Sequence, residues 1–181
     1  MFYILMLIMW AKQKRQSGFT IVELLIVIVV IGILAAITIA SFNGVTSKAY
    51  NARVQSAVNV YAKTINAYNA ENGAWPPQTV GCLGAGYASN QCWSGTNGNI
   101  TVNTDLDTAL SPYISRKPEM DAALMQYTNV DKRTGVVYWN NSNGVRLEYY
   151  LKGRDQKCLN GTTGTVYSSD SVTTQCFMIF A

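Results

Sequence analysis

The sequence predicts an α+β fold: a long N-terminal α-helix, membrane-spanning in its first half and amphipathic in its second, packed on a small antiparallel β-sheet head. Three observations lead there. An apolar run, FTIVELLIVIVVIGILAAITIA, begins at Phe19; apolar residues at helical spacing continue beyond it; and near Val136 the period changes to two. Composition points the same way. Of 181 residues, 49% are hydrophobic and only 13% charged, about half the usual quarter. A solvated, disordered chain is excluded, and part of the hydrophobic total is directed at a membrane rather than a core.

Between Phe19 and Ser47 the one charged side chain is Glu23. Such a run is long enough to cross a bilayer as a helix, which takes about 20 residues. Lys12, Lys14 and Arg15 stand just before it, with Lys48 and Arg53 more distant after it, so the N-terminus is expected in the cytoplasm and the remainder outside. The run is too long for the core of a removable secretory signal, and Ala35, Ala36, Thr38 and Ala40 make a poor small-x-small cut site. A plain anchor explains length and orientation but not Glu23. A carboxylate costs about 2.5–3.5 kcal/mol at mid-membrane and less near an interface, so Glu23 either snorkels to the cytoplasmic edge or has a partner.

Charge and histidine content remove several function classes. The three leader cations supply most of the net charge of +4, leaving the chain after Gly18 nearly neutral, without an electrostatic reason to bind nucleic acid. There is no histidine, which excludes Ser-His-Asp and Cys-His nucleophiles and His-ligated zinc or haem. No clustered carboxylates, nucleophile elbow or phosphate loop supports catalysis. No enzyme activity, cofactor or metal is expected.

After the apolar run, Val54, Ala57, Tyr61, Ile65 and Tyr68 follow 3/4 spacing, with Lys48, Arg53, Gln55, Lys63 and Asn66 elsewhere on the wheel. The amphipathic half therefore extends to about Asn72, where Gly73 and Pro76-Pro77 stop it. Residues 78–103, rich in Gly, Ser, Asn and Thr, read as an exposed loop carrying Cys82 and Cys92. A short helix follows, with Thr104 as N-cap and Leu106 and Leu110 inward; residues 119–127 read as another. Val136–Trp139, a turn at Asn140–Gly144, and Val145–Leu151 form a hairpin, and Gln175–Phe180 is a third strand.

Four cysteines in an exported segment imply two disulfides. Three pairings exist. The sequence-near one, Cys82–Cys92 and Cys158–Cys176, is preferred because each bridge staples a Gly/Ser/Thr-rich loop that cannot order itself, at about 2–4 kcal/mol per closure. With no C-x-x-C and no histidine, a metal reading is poor.

The stretch Gly18-Phe19-Thr20-Ile21-Val22-Glu23, followed by LLIVIVVIGILAAI, resembles the class III signal and N-terminal helix of type IV pilins and related pseudopilins. The resemblance implies cleavage by prepilin peptidase between Gly18 and Phe19, N-methylation of Phe19, and an assembly role for Glu23. It divides the chain into a leader (1–18), a hydrophobic transmembrane or filament-core helix (19–42), the amphipathic half of that helix (43–73) and a globular head (74–181). The implied function is a structural subunit of a type IV pilus, a helical homo-oligomer that rests in membrane lipid before an assembly platform and motor build it into a surface filament for adhesion, motility or DNA uptake. The alternative is a pseudopilin of a type II secretion or competence apparatus. YNAENGAWPP and the L-x-P-Y stretch near Pro112 are similar to segments of both groups. The Cys158–Cys176 loop resembles the disulfide-bounded C-terminal region of many type IV pilins, which favours the first reading.

Elementary electrostatics fits this role for Glu23. The free amine of a cleaved Phe19 and the Glu23 carboxylate of a staggered neighbour attract strongly in low dielectric, whereas either left alone there is costly. Two departures from the family pattern stand out. Ala40 occupies the place of a common proline, and Met1–Trp10 is apolar where such leaders are short and basic, so translation is expected to start at Met9.

Overall fold

Helix α1 runs from Ile21 to Asn72, as the unbroken aliphatic run and the 3/4 spacing after it require. The computed structural model describes residues 18–96, 98–121, 123–160, 164–165 and 171–180, and of 39–43 the backbone alone. Apart from Gly18, the leader lies outside the described residues. The chain divides into two units, Met1–Phe42 and Asn43–Ala181.

In the first unit every described side chain from Gly18 to Thr38 is exposed. The stretch Ile21–Thr38 has a mean hydropathy of 3.0 and none of it is buried. By length and composition it is long and apolar enough to cross a membrane, where a helix satisfies its backbone polar groups internally.

The second unit is built on the remainder of α1. Val54, Ala57, Tyr61 and Ile65 are buried as their spacing predicts, joined by Tyr50 and Val58; Tyr68 is half-buried, edge-on to Tyr113 at 5.8 Å. Gly73 ends the helix at φ +66, its N–H donating to the Asn69 carbonyl at 2.9 Å. Glycine takes this left-handed position at no steric cost.

Two four-stranded antiparallel sheets share the core. The first has the order β1 (Val80–Leu83), β6 (Val136–Asn141), β7 (Gly144–Lys152), β8 (Thr173–Ile179). The second has the order β3 (Gly98–Thr101), β2 (Gln91–Gly95), β5 (Lys132–Arg133), β4 (Met125–Gln126). The predicted hairpin and C-terminal strand are β6, β7 and β8, with Val136 opposite Tyr149 and Tyr149 opposite Cys176. The ladder runs to the Asn141–Gly144 pair, so the turn is shorter than the sequence suggests.

Three expectations are corrected. Residues 78–103 are not an exposed loop: they hold β1, β2 and β3, with Cys82, Leu83 and Cys92 fully buried. These strands are short and glycine-bearing; β2 and β3 pair locally, but β1 and β2 also take partners far along the chain, β6 and β5, so no local alternation announces them. Residues 119–127 are not helical among those described. The Met120 N–H donates to the Ala85 carbonyl at 2.7 Å and the Tyr127 N–H to the Asp131 carbonyl at 2.9 Å, and these long-range and turn bonds take the groups a helix would use. Helix α2 is Thr104–Leu110 with Asn103, not Thr104, as N-cap: its Oδ1 accepts from the N–H groups of Asp105 and Leu106, both at 3.1 Å. Both residue types cap well, and one position decided between them.

Polar side chains of α1 fasten the first sheet. The buried Tyr50 hydroxyl donates to the Tyr150 carbonyl at 3.1 Å, accepts from the Gly135 N–H at 3.1 Å and lies 3.0 Å from Thr134 Oγ1. Asn51 pairs with the Lys152 backbone in both senses, accepting its N–H at 2.7 Å and donating to its carbonyl at 3.0 Å. Tyr50→Phe is expected to cost about 1–3 kcal/mol, since it strands the Gly135 N–H; urea unfolding of the variant checks it.

Burial raises the hydroxyls of Tyr50, Tyr61, Tyr87, Tyr138 and Tyr150 above the ordinary tyrosine value. The folded head therefore holds protons that the unfolded chain gives up near pH 10, so this stability is fully present below about pH 10 and is lost as pH rises through the folded values. Thermal unfolding from pH 8 to 11.5 should show a flat melting temperature followed by a steep fall. A temperature that holds through pH 11.5 would contradict the burial of these hydroxyls.

Candidate functional site

Of the predicted processing and assembly residues, Glu23 lies in the first turn of α1, and Gly18 and Phe19 lie just ahead of its start at Ile21. Phe19 is 86% exposed. Gly18 has open space around its Cα. Glu23 lies in the first helical turn, where a carboxylate complements the unsatisfied N–H groups of a helix start.

Glu23 is not left alone within the chain. Its Oε2 accepts from the Thr20 N–H at 2.8 Å and from the Thr20 hydroxyl at 2.7 Å, while its own N–H donates to Thr20 Oγ1 at 3.2 Å. Thr20 and Glu23 thus form a reciprocal capping box. Taken as a snorkelling or intermolecular charge, Glu23 gives no hint of its local partner Thr20. The signal was present, since Thr20-Ile21-Val22-Glu23 is a T-x-x-E ahead of an apolar run. The box uses one carboxylate oxygen and leaves the other for a second donor.

The cysteines are joined as Cys82–Cys92 and Cys158–Cys176, with Cα–Cα distances of 5.8 and 5.7 Å. Cys82 lies on β1 and Cys92 on β2, so the first bridge ties the two sheets together rather than closing a loop. The second ties the segment after β7 to β8. All four side chains are buried.

Arg133 also connects the sheets. Its guanidinium lies between the rings of Trp93 and Tyr127, 3.4 and 3.7 Å from their centroids, and faces Asp131 at 3.4 Å and Glu148 at 3.5 Å. Glu148 also accepts from the Tyr150 hydroxyl and the Gln175 amide. The cation, carboxylates and rings are largely buried against one another, with the terminal guanidinium nitrogens facing the carboxylates while the buried Nε finds no hydrogen-bond partner among the described residues. Among the described residues, no three His, Cys, Asp or Glu side chains gather where a metal ion could be held.

The sequence matches the prokaryotic N-terminal methylation motif over residues 13–39, a span that contains Gly18, Phe19 and Glu23. It is similar to the type II secretion system core protein G of Aeromonas hydrophila, 31% identical over 70 residues, 39% of this chain and 49% of that protein. It is similar also to the fimbrial protein EcpC of Eikenella corrodens, 30% identical over 97 residues, 50% of this chain and 63% of the relative. A fimbrial protein of Neisseria meningitidis is 25% identical over 140 residues, 77% of this chain and 68% of the relative. The chain spans about half the length of the secretion relatives it matches. No solved structure matches it.

Loss of the capping box is expected to fray the first turn. Thr20→Val removes the cap at a cost of about 0.5–2 kcal/mol, read as faster amide exchange from Ile21 to Leu24 in detergent micelles, and Thr20→Ser should restore the wild-type rates. Unchanged exchange in Thr20→Val would show that Glu23 does not need Thr20.

Proposed function

We propose that this chain is the structural subunit of a type IV pilus: processed after Gly18, methylated on Phe19, held in the membrane by the apolar part of α1, and assembled into a helical surface filament. The observation that carries the reading is the placement of Glu23 one turn from Phe19, within a methylation motif and at the head of an 18-residue stretch with no buried side chain. A fully apolar helix surface supplies cohesion without register. One carboxylate near one amine supplies the register, because the pair forms only at the stagger that brings them together. Within the chain Glu23 is capped by Thr20, so before assembly the carboxylate is neutralised in part by hydrogen bonds.

The head supports a pilin over a pseudopilin. An alignment of 140 residues with a fimbrial protein cannot be contained in the first 72 residues, so it includes sequence beyond the shared N-terminal helix. The disulfide-bounded segment from Cys158 to Cys176 points the same way. The pseudopilin reading keeps one specific support, the type II secretion relatives at 31 and 32% identity.

Three measurements test the proposal. N-terminal sequencing of mature protein should begin at a methylated Phe19, and Gly18→Leu should leave a longer, membrane-held precursor, because a bulky residue beside the cut does not fit the peptidase. Peptide mapping without reductant should recover Cys82–Cys92 and Cys158–Cys176; a crossed pair would contradict the assignment. Glu23→Ala separates the roles of the carboxylate. If it served only as a cap or snorkelled, filaments would still form. If it pairs with a neighbour's Phe19 amine, its loss leaves a buried ammonium uncompensated at about 3–5 kcal/mol, and processed monomer should accumulate without fibres.

A further inference from the structure

We propose that the cations gathered at the start of the second unit, Lys48, Lys152 and Lys157 with Arg154 beside them, form a docking surface for the phosphodiester headgroups of anionic lipids. The proposal rests on reading Ile21–Thr38 as a membrane span, because the span supplies the tether.

Two grooves adjoin here. One, of about 390 Å³, is lined by Lys48, Asn51, Gln55, Asp155, Gln156 and Lys157. The other, of about 370 Å³, is lined by Gly44, Ser47, Lys48, Lys152, Gly153 and Val172. Lys48, Asn51 and Gln156 belong to both. The lysines are exposed, and among the described residues none pairs with a carboxylate; Asp155 is the acidic residue lining the site.

Their spacing is built rather than incidental. Asn51 holds the Lys152 backbone in both senses, Gln55 donates to the Lys157 carbonyl at 3.1 Å, and the Gln156 N–H donates to Thr174 Oγ1 at 3.1 Å. The turn carrying Lys152, Arg154 and Lys157 is thereby fastened to α1 beside Lys48. Charge complementarity selects a phosphate. The tether selects its source. Lys48 follows Thr38, the end of the span, by ten residues, a reach of about 35 Å even fully extended, so the site is presented to the headgroups at the high effective concentration of a short linker. The exported chain as a whole is nearly neutral, which leaves a duplex little long-range attraction but does not weaken a local contact within the reach of screened charges. Docking would hold the head against the membrane before assembly, and incorporation into a filament would release it.

The test uses the full processed chain in lipid nanodiscs, either wholly phosphatidylcholine or enriched in phosphatidylglycerol, with amide exchange as the readout. Residues 48–55 and 152–157 should exchange several-fold more slowly in the anionic discs. The protection should disappear when salt rises to about 0.5 M, and when Lys152→Glu and Lys157→Glu are combined, while Lys152→Arg with Lys157→Arg keeps it. Equal exchange in both disc types, or protection that survives the two glutamates, overturns the proposal. So does protection by a DNA duplex but not by anionic discs, or protection that follows the number of chains per disc instead of the lipid. A chain that enters neither disc overturns the span reading as well; one that enters both without lipid dependence overturns the docking surface alone.

Discussion

Burial of one stripe of α1 is the constraint on which the head depends. Tyr50, Val54, Ala57, Val58, Tyr61 and Ile65 are almost wholly removed from water, and a single helix cannot bury its own face. Strands β6, β7 and β8 supply the covering surface, with Val136, Tyr138, Leu147, Tyr149 and Leu151 in the same cluster. The helix then fixes its register on the sheet through polar groups rather than apolar area, because area is indifferent to a shift of one turn and hydrogen bonds are not. Tyr50 and Asn51 set that register against Gly135, Tyr150 and Lys152.

The second sheet has short strands and little apolar surface of its own, and it is secured by chemistry of another kind. The Cys82–Cys92 bridge joins it covalently to the first sheet. Arg133 joins it electrostatically, reaching from β5 to Glu148 on β7 while Trp93 and Tyr127 cover its faces. A buried guanidinium is costly unless its neighbours replace the water it loses. Here two carboxylates face its terminal nitrogens and two rings cover its faces, and that requirement leaves few positions in which the second sheet can sit. Gly135, at φ +66, shows how tight the junction is: an added Cβ would meet the Tyr87 ring and hydroxyl.

The first unit works on opposite terms. From Ile21 to Thr38 its side chains are not buried, so their apolar area is available to lipid or to other copies. What specificity it has resides in the first turn, where Thr20 and Glu23 cap the helix. That cap and the proposed intermolecular pair draw on the same carboxylate. One oxygen is engaged with Thr20, and the other is left for an incoming amine.

Sequence alone determined the elements whose signals are local. The apolar run, the 3/4 stripe ending at Gly73, the hairpin from Val136 to Leu151 and the terminal strand each declare themselves within a few residues, because helix and strand periodicity are properties of neighbouring side chains. The Gly18–Glu23 motif is equally local, and so is the T-x-x-E cap within it, legible though not read. Tertiary structure decided the rest. Strands β1 and β2 pair with β6 and β5 far along the chain, and the described residues of 119–127 are not helical because Ala85 and Asp131 claim backbone groups of Met120 and Tyr127. Which sheet a cysteine bridge joins, and which residues surround Arg133 or line the grooves beside Lys48, depend on segments as far apart as 100 residues. No periodicity records such neighbours, since their proximity comes from the packing of the whole head rather than from any stretch of chain.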